Sequence, residues 1–593
     1  MSQYKHTLPV ALLLLFCVRC TPVRSPENGV QPILVITDSG GSEVFHTYIA
    51  EILAAEGILC FEAVNLHQRP LTFEDLTGRD IVILPRTGDV SPELADALTS
   101  YVGKGGALIG LRPDTRLASL FGLAPQDTTL SERYVLVDTT TAIGNGVTGQ
   151  SMQFHGEADV YACDGASVVA WLCTDAVTAT GYPAVAVHDF GSGRAVSFTY
   201  DLAASTVLFR QGQYKYRSHG DIRDPDGDQI SRQNDLLFRY LDDAKADIPQ
   251  ADEQQDVLVN AIMYCASFGK PLPRLWYFPG QAMAVAWFTG DGDDAEQDQI
   301  RRYADKTREY GGYFTLFEGA GNDFDDELDN WLLSAGHSTG KHVNLGCRMP
   351  PLRGAESEIS RQIQAFIAEY GHQPLTDREH CLNWVGWTEH AGYLHENGVR
   401  INSNATSFKG NDGHRAYLNA SGLPMKYIDE RGAMVDLYQQ STTFYEKHDP
   451  AIVEASVADY HTVLTYSFHP VYADTRLELL ESAVSCIRSQ GIPMVSGDAW
   501  AEFLDARRAL RFDAIKADES GHAITFAVIQ GERPIENATL MIPVQWGARS
   551  VASIREYSAP VVFTAKVIDG VHYALWTVSL DAGQMKSYTV LYE

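Results

Sequence analysis

Short runs of consecutive apolar residues alternate with amphipathic stretches in the first part of the chain. Runs that are apolar at every position are typical of parallel strands covered on both faces. We therefore predict buried strands that alternate with helices in this region. The predicted strands lie at residues 33–36, 81–84 and 107–111, and the predicted helices at residues 45–56 and 92–102.

The pattern changes several times along the rest of the chain. Residues 134–200 have a more β-like pattern, with a hairpin predicted around residues 191–193. Residues 205–280 are predicted to be a connector, because the stretch that starts at Arg217 is polar and rich in aspartate and glycine. A second strand–helix alternation then runs over residues 283–508. Residues 512–593 carry short, alternating, β-branched runs, which predict about five antiparallel strands of a small sandwich.

These segments predict an α/β chain of several domains. With about 150 residues per domain as a prior, 593 residues correspond to three or four domains. We predict an export signal over residues 1–20, a first α/β domain over 31–245, a second over 280–508 and a β-sandwich over 512–593.

Composition and charge narrow the range of partners. Hydrophobic residues make up 45% and charged residues 21%, as in ordinary globular proteins. The chain has 46 basic and 76 acidic side chains, which gives a formal net charge of −30. Nucleic acid and anionic membrane surfaces are therefore poor partners, whereas neutral or cationic substrates are electrostatically easier to bind.

The first twenty residues have the character of an export signal. Lys5 and His6 precede an apolar run over residues 8–18, which is too short to cross a bilayer because a span needs about 20 residues. Cys20 is a candidate for lipidation after signal cleavage, and a plain secretory peptide is the alternative. Either way we expect an exported protein, located in the cell envelope or outside the cell.

The nine cysteines are widely scattered, and none after residue 20 forms a CxxC pair. This spacing does not indicate a disulfide-dense fold. Cys163 and Cys173 are the pair that we expect to form a local disulfide, and buried free thiols are the alternative.

Three aspartates stand where an apolar strand ends. The predicted strand over residues 284–288 leads into Asp291, Asp293 and Asp294. Crowded carboxylates repel one another unless a cation or a shared proton offsets their charge, and barrel active sites lie at the carboxyl ends of strands. The alternative is a solvent-exposed acidic turn.

Three histidine-containing motifs follow in the same region. The sequence GHSTGKH over residues 336–342 follows a predicted amphipathic helix at 324–333. The sequence REH occurs at residues 378–380, and the run LTYSFHP ends in His469 and Pro470. In this order, over about residues 283–508, the aspartate and histidine motifs resemble those of the polysaccharide deacetylases of carbohydrate esterase family 4.

The resemblance implies a distorted barrel of alternating strands and helices with a metal-dependent site. In that family the first motif supplies an aspartate base and an aspartate metal ligand. Here these would be Asp291 and Asp293, with Asp294 as the fallback for either role. The second motif would make His342 a metal ligand, and the final His-Pro would make His469 the general acid.

The sequence departs from the family pattern at the third metal ligand. Four residues after the second-motif ligand the family places another histidine, but this chain has Gly346. His380 is the leading replacement, and its neighbour Arg378 is expected to hold a carboxylate, whereas His337 and His390 are weaker candidates. Catalytic zinc sites use three protein ligands plus water, so we expect the site to be completed from outside the second motif.

The first α/β region resembles glutamine-amidotransferase-like domains of the flavodoxin type, including those related to trehalose-utilisation proteins. An active amidotransferase needs a nucleophilic cysteine on a tight turn after a strand. The corresponding segment here is GLRPDTR, and Cys60 lies in a strand-like run where a packed thiol is expected. We therefore expect binding or scaffolding from this region.

Several aromatic residues in the second region offer stacking surfaces for sugar rings. For Trp384 and Trp387 the favoured alternative is a helix face packed in the core, because they are three residues apart. The stacking candidates are Trp384, Trp387, Tyr393 and Trp500.

Together these features predict a metal-dependent hydrolase that removes N-acetyl groups from an envelope or extracellular polysaccharide, with zinc as the expected ion. The first alternative is a non-catalytic carbohydrate-binding protein with a degenerate deacetylase fold, which Gly346 favours. The second is a glycosidase with two carboxylates, which the Gly-His and His469-Pro470 motifs disfavour.

Overall fold

The computed structural model describes residues 30–41, 43–217, 227–237, 241–319, 324–349, 352–407, 416–518 and 520–593. The predicted export signal and Cys20 lie outside these residues. Within the described ranges we find no helix with the length and apolar character needed to cross a bilayer.

The first sheet has nine strands, and the three predicted apolar runs form β1, β3 and β4 in one half of it. Its strands are β1 (Ile33–Thr37), β2 (Phe61–Asn65), β3 (Ile81–Leu84), β4 (Ala107–Leu111), β5 (Leu123–Val137), β6 (Met152–Cys163), β7 (Ser167–Cys173), β8 (Ala179–Phe190) and β9 (Gly193–Phe198). The strand order is β2-β1-β3-β4-β9-β8-β7-β5-β6. The accompanying helices are α1 (Tyr48–Ala55), α2 (Phe73–Leu76) and α3 (Pro92–Gly103).

This sheet is parallel at one end and antiparallel at the other. Strands β1, β2, β3, β4 and β9 pair in parallel. The four remaining strands continue the sheet in antiparallel fashion, and the predicted hairpin is confirmed by the pairing of β8 with β9. The strand–helix alternation is as expected, and the narrower flavodoxin-like assignment stays a prediction.

The predicted connector over residues 205–280 is wrong, because this stretch contains buried structure. It includes helix α4 (Leu202–Gln211), helix α5 (Gln250–Ala266) and strand β10 (Arg274–Leu275). Helix α5 is buried along nearly its whole length, including its charged residues Glu253 and Asp256. A helix with polar residues on every face lacks the amphipathic pattern from which buried helices are recognised.

The second sheet carries the residues of the predicted site. Its strands are β11 (Val285–Asp291), β12 (Phe314–Glu318), β13 (Ser338–Lys341), β14 (Thr376–Asp377), β15 (Ile401–Asn402), β16 (Met425–Ile428), β17 (Met434–Gln439), β18 (Phe444–Tyr445), β19 (Val463–Phe468) and β20 (Met494–Val495). The order is β16-β17-β15-β14-β13-β12-β11-β19-β18, and β20 pairs with β11. Apart from the β16–β17 pair, the strands are parallel.

Helices connect most of these parallel strands. They are α6 (Gln297–Glu309), α7 (Asp326–Ser334), α8 (Ala355–Tyr370), α9 (Glu389–Glu396), α10 (Pro450–Ala455) and α11 (Ala473–Ser489). A further helix, α12 (Gly497–Ala509), follows β20 and leads to the C-terminal segment. The parallel pairing brings the carboxyl ends of the strands to one edge of the sheet. That the sheet forms a deacetylase-like barrel stays a prediction.

The C-terminal segment forms strands of two antiparallel sheets, with nine strands where about five were predicted. It comprises β21 (Arg511–Ala517), β22 (Ala523–Ile529), β23 (Ile535–Pro543), β24 (Gln545–Trp546), β25 (Arg549–Glu556), β26 (Ala559–Val561), β27 (Thr564–Ile568), β28 (Val571–Leu580) and β29 (Met585–Tyr592). One sheet has the order β10-β23-β28-β27, so the strand from the supposed connector completes it. The largest hydrophobic cluster includes residues from all three regions of the chain, although the predicted domain boundaries stay predictions.

The only disulfide in the described part of the chain joins Cys347 to Cys381. The suggested Cys163–Cys173 pair is wrong, because both cysteines are free thiols. Although they belong to strands of one sheet, Cys163 pairs with Leu123 whereas Cys173 pairs with Tyr134, far along the same strand.

Candidate metal centre

The candidate site lies where neighbouring parallel strands of the second sheet end. In an extended chain every second side chain points to the same face, so Thr289 and Asp291 of β11 point the same way. Both accept hydrogen bonds from the Arg378 guanidinium, which lies just beyond β14. Ser467 at the end of β19 accepts another. The strand ends and their alternation therefore determine which side chains meet.

Asp293, His342 and His380 form a compact group of potential metal donors. One donor atom from each residue lies within 4.8 Å of the other two. Asp293 Oδ2 is 3.0 Å from His342 Nε2 and 2.8 Å from His380 Nδ1. The structure thus brings together the three residues that the sequence suggested as ligands, from the ends of three different strands.

The backbone fixes the orientation of His342. Its Nδ1 lies 2.6 Å from the carbonyl oxygen of Arg378, which is an acceptor only, so Nδ1 carries the proton and donates. The lone pair of a neutral ring is then on Nε2, which faces Asp293. A metal-binding histidine is commonly oriented in this way by a hydrogen bond from its other nitrogen.

Charge in this group favours an ionised aspartate. Burial alone would raise the pKa of Asp293, but hydrogen bonds with His342 and His380 hold it well below its usual value. The hydrogen bond to Asp293 raises the pKa of His380. Burial lowers the pKa of His342, but Asp291 and Asp293 more than offset this effect and raise it. The site therefore attracts positive charge, either protons or a cation.

Asp291 is held beside this group by a fully buried arginine. Arg378 Nη1 donates to Asp291 Oδ1 at 3.0 Å, through one nitrogen rather than the two of a bidentate pair. The rest of the guanidinium donates to oxygens of Ser403 and Thr442 as well as those named above. Burial would raise the pKa of Asp291, but the charge of Arg378 in particular holds it below its usual value. Asp291 is thus an ionised carboxylate.

His469 lies on the other side of Asp291. Its Nε2 is 3.7 Å from Asp291 Oδ2, and its Nδ1 is 2.9 Å from Glu446 Oε1. Burial would lower the pKa of His469, but the hydrogen bond to Glu446 and the charge of Asp291 raise it. Sequence reasoning missed Glu446, which follows β18 in the left-handed conformation (φ 48°) and bonds through its backbone to Ser467.

In the 377–380 segment, Asp377 and Glu379 alternate with Arg378 and His380. Their side chains belong to a second buried network of polar residues. Glu379 hydrogen-bonds His390 and accepts from Asn402 at 3.1 Å, and Asp377 accepts from the same amide at 3.0 Å. Burial raises the pKa of Glu379 to about 7 and lowers that of His390 to about 4. His390 therefore anchors the segment from behind and is not part of the donor group.

The other candidates lie away from the donor group. His337 is buried and accepts a hydrogen bond at Nδ1 from the amide of Phe314, which is a structural role. Asp294 is exposed, in the left-handed conformation (φ 51°), and is absent from the donor group. Gly346 also has a positive φ (81°), a backbone conformation that favours glycine, at the position where the family pattern places its third ligand.

The prediction that the tryptophans offer stacking surfaces for sugar rings is wrong. Trp384, Trp387 and Trp500 are buried, so none can present a face to a sugar ring. Trp384 stacks on the His390 ring with centroids 4.5 Å apart. The core interpretation is confirmed for the first two, but they lie before α9 rather than on a helix face. Tyr393 is half-buried.

The donor group fits a divalent cation. One carboxylate and two imidazoles are the ligand types of catalytic zinc sites, in which a water takes the fourth position. Space next to the group is preserved by Gly319, where a Cβ atom would come within 2.8 Å of Asp293 Oδ1 and 3.3 Å of the His342 ring. Asp293, His342 and His380 would be the ligands of such an ion.

No family model matches the chain, and no curated protein matches it. A solved structure described as Agd3, a novel carbohydrate deacetylase, is 10% identical over 95% of this chain and 99% of its own, with a TM-score of 0.43. A beta-galactosidase from Bacillus circulans sp. alkalophilus is 17% identical over 29% of this chain and 28% of its own, with a TM-score of 0.23. At these TM-scores the likenesses carry no argument about the site, whose chemistry rests on its own geometry.

Proposed function

We propose that this protein is a metal-dependent hydrolase that removes N-acetyl groups from a polysaccharide. The observation that carries the proposal is the placement of two ionisable side chains, Asp291 and His469, beside the donor group of Asp293, His342 and His380. Asp291 is held by the buried Arg378, and His469 is held by the half-buried Glu446.

The two flanking side chains suit opposite proton transfers. The low pKa of Asp291 keeps it ionised, so it acts as the base that takes a proton from the attacking water. The raised pKa of His469 favours its protonated form, so it acts as the acid that returns a proton to the leaving amine. Arg378 and Glu446 position these groups and set their charge.

A divalent cation, when bound, supplies Lewis acidity for the amide carbonyl and acidifies the attacking water. We propose zinc, because the donor group combines imidazole nitrogens with a single carboxylate. The three ligand side chains must keep their orientations for such an ion to bind. The carbonyl oxygen of Arg378 orients the His342 ring, because it accepts a hydrogen bond from Nδ1.

The proposed substrate class rests on the resemblance of the motifs to polysaccharide deacetylases and on the charge of the chain. A net charge of −30 suits a neutral N-acetylated glycan and a product that is a cationic amine. We also propose that the second sheet corresponds to the distorted barrel of those enzymes and that the first region is a flavodoxin-like binding or scaffolding domain. Export, with or without lipidation of Cys20, remains part of this proposal.

Acetate release tests the proposal. The full-length protein would be stripped with a chelator, reloaded with Zn²⁺ and incubated with N-acetylated oligosaccharides, and released acetate would be quantified enzymatically. We expect release only from the reloaded protein, and loss of release in His380→Ala. A zinc-loaded protein that binds these glycans but releases no acetate would instead support the non-catalytic carbohydrate-binding alternative.

A further inference from the structure

The disulfide joins the two segments that carry the histidines of the donor group. Cys381 is the residue after His380, and Cys347 is five residues after His342. The two histidines are 38 positions apart in the sequence, but through the disulfide they are connected by a path of only a few residues. A sulfur of each cysteine and a nitrogen of His380 lie within 4.8 Å of one another.

The turn that presents His380 has an unfavourable backbone conformation. Cys381 and Leu382 both have φ near 57°, and neither is glycine. The left-handed region is disfavoured for residues with a Cβ atom, so consecutive residues remain there only when their surroundings hold them. The disulfide is a covalent constraint at the first of these two positions.

The other half of the disulfide is anchored to a helix. The backbone N–H of Asn344 donates to Gln362 Oε1 of α8 at 2.9 Å. In return, Gln362 Nε2 donates to the backbone carbonyl oxygen of Asn344 at 2.8 Å. The side chain of Asn344 then accepts from the amide of Gly346 at 2.8 Å, which closes the turn leading to Cys347. Helix α8 therefore fixes Cys347, and through the disulfide it restrains Cys381.

We propose that the Cys347–Cys381 disulfide is a positioning element of the metal centre, which keeps His380 within reach of Asp293 and His342. It compensates for Gly346, because it ties an external ligand to the segment in which the family pattern would place one. The inference rests on the proposed metal site. The inference goes beyond the proposed metal site, because it makes metal affinity depend on a disulfide whose sulfur atoms are not metal ligands.

A purely structural disulfide and a positioning disulfide make different predictions about metal affinity. If the disulfide acts through His380, removing the disulfide weakens metal binding in the wild type. In a protein that already lacks the His380 side chain, removing the disulfide then has no further effect. If it only stabilises the fold, the two changes act independently. A double-mutant cycle on metal affinity separates these cases, because interacting residues give non-additive effects.

The cycle uses four full-length proteins: wild type, Cys347→Ser with Cys381→Ser, His380→Ala, and all three changes together. Zn²⁺ affinity of each metal-free protein is measured by competition with a chromophoric chelator, and Cys163→Ser is the matched control because Cys163 is an exposed free thiol. We expect loss of the disulfide to lower affinity by about 10–100-fold, as is typical when groups that orient ligands are removed. In the His380→Ala background we expect no further loss.

Equal affinity of wild type and the Cys347→Ser, Cys381→Ser variant, or the same loss in both backgrounds, would overturn the inference. Should the double variant not fold, wild type would be reduced with a phosphine, which leaves two thiols and a phosphine oxide, and the thiols would be capped with iodoacetamide. Cys347 is exposed and open to both reagents. The same loss of affinity is expected, and unchanged affinity would contradict it. If wild type itself binds no Zn²⁺ and releases no acetate, it is the proposed function that has failed.

Discussion

Glu446→Gln is expected to shift the pH dependence of turnover by lowering the pKa of His469. Glutamine keeps an oxygen that can accept from His469 Nδ1, at the 2.9 Å separation seen for Glu446, but it removes the negative charge. Hydrogen bonds to charged groups contribute roughly 1.5–3 kcal/mol, against about 1 kcal/mol for neutral ones. The difference of about 1 kcal/mol corresponds to a pKa decrease of just under one unit, at about 1.4 kcal/mol per unit.

The assay is kcat for acetate release as a function of pH, on zinc-loaded protein. Since His469 must be protonated to act as the acid, turnover falls above its pKa, and a lower pKa moves this alkaline limb to lower pH. Glu478→Gln, on the exposed side of α11, is the matched control and should leave the limb in place. An alkaline limb that does not move in Glu446→Gln, with normal zinc content, would refute the role given to Glu446.

Three further predictions test other parts of the structure. Asp291→Asn should abolish turnover and spare zinc affinity, whereas Asp293→Asn should weaken zinc binding at least about tenfold; the opposite result in metal titrations would reverse the two roles. Gly319→Ala places a Cβ atom 2.8 Å from Asp293 Oδ1, so zinc affinity should fall about tenfold with little change in Tm, and unchanged affinity would contradict the need for space there. Burial raises the pKa of Glu253 to about 8, so the folded protein keeps a proton that the unfolded chain releases, and this group makes stability fall as pH rises from about 5 to 8. Glu253→Gln should therefore reduce the difference in urea unfolding free energy between about pH 6 and pH 8, and an unchanged difference would show that Glu253 is not the group responsible.

Local patterns were sufficient to predict the strand that leads to Asp291, but not the short strands β13 and β14 that precede His342 and Arg378. Residues 284–288 are apolar at every position, which indicates a strand buried on both faces and places the aspartates just after it. The proximity of Asp293, His342 and His380 followed from a resemblance of motifs together with the rule that parallel strands end at one edge. The assignment of His380 needed one additional consideration, that Gly346 has no donor to offer.

The residues that sequence reasoning missed are brought to the site by long-range pairing. Glu446 reaches His469 because β18 pairs with β19, and nothing in the sequence around Glu446 announces that pairing. Cys347 and Cys381 are 34 residues apart with no repeated spacing, so their approach depends on the lengths of the loops after β13 and β14. Helix α5 was missed because its charged residues are buried in contacts with distant segments, such as the bond from the Thr148 amide to Glu253.

The alternation of side chains along the strand ends restricts where insertions and deletions can occur in the sequence. Removing one residue within β11 would turn Asp291 to the opposite face of the sheet, because strand side chains alternate with a period of two. A neighbouring residue would then take the position of Asp291 in the site. The same holds between Arg378 and His380, which share a face only because one residue separates them. We therefore expect insertions and deletions in functional variants to accumulate in the loops and to be excluded from the strand ends, even where substitutions are tolerated.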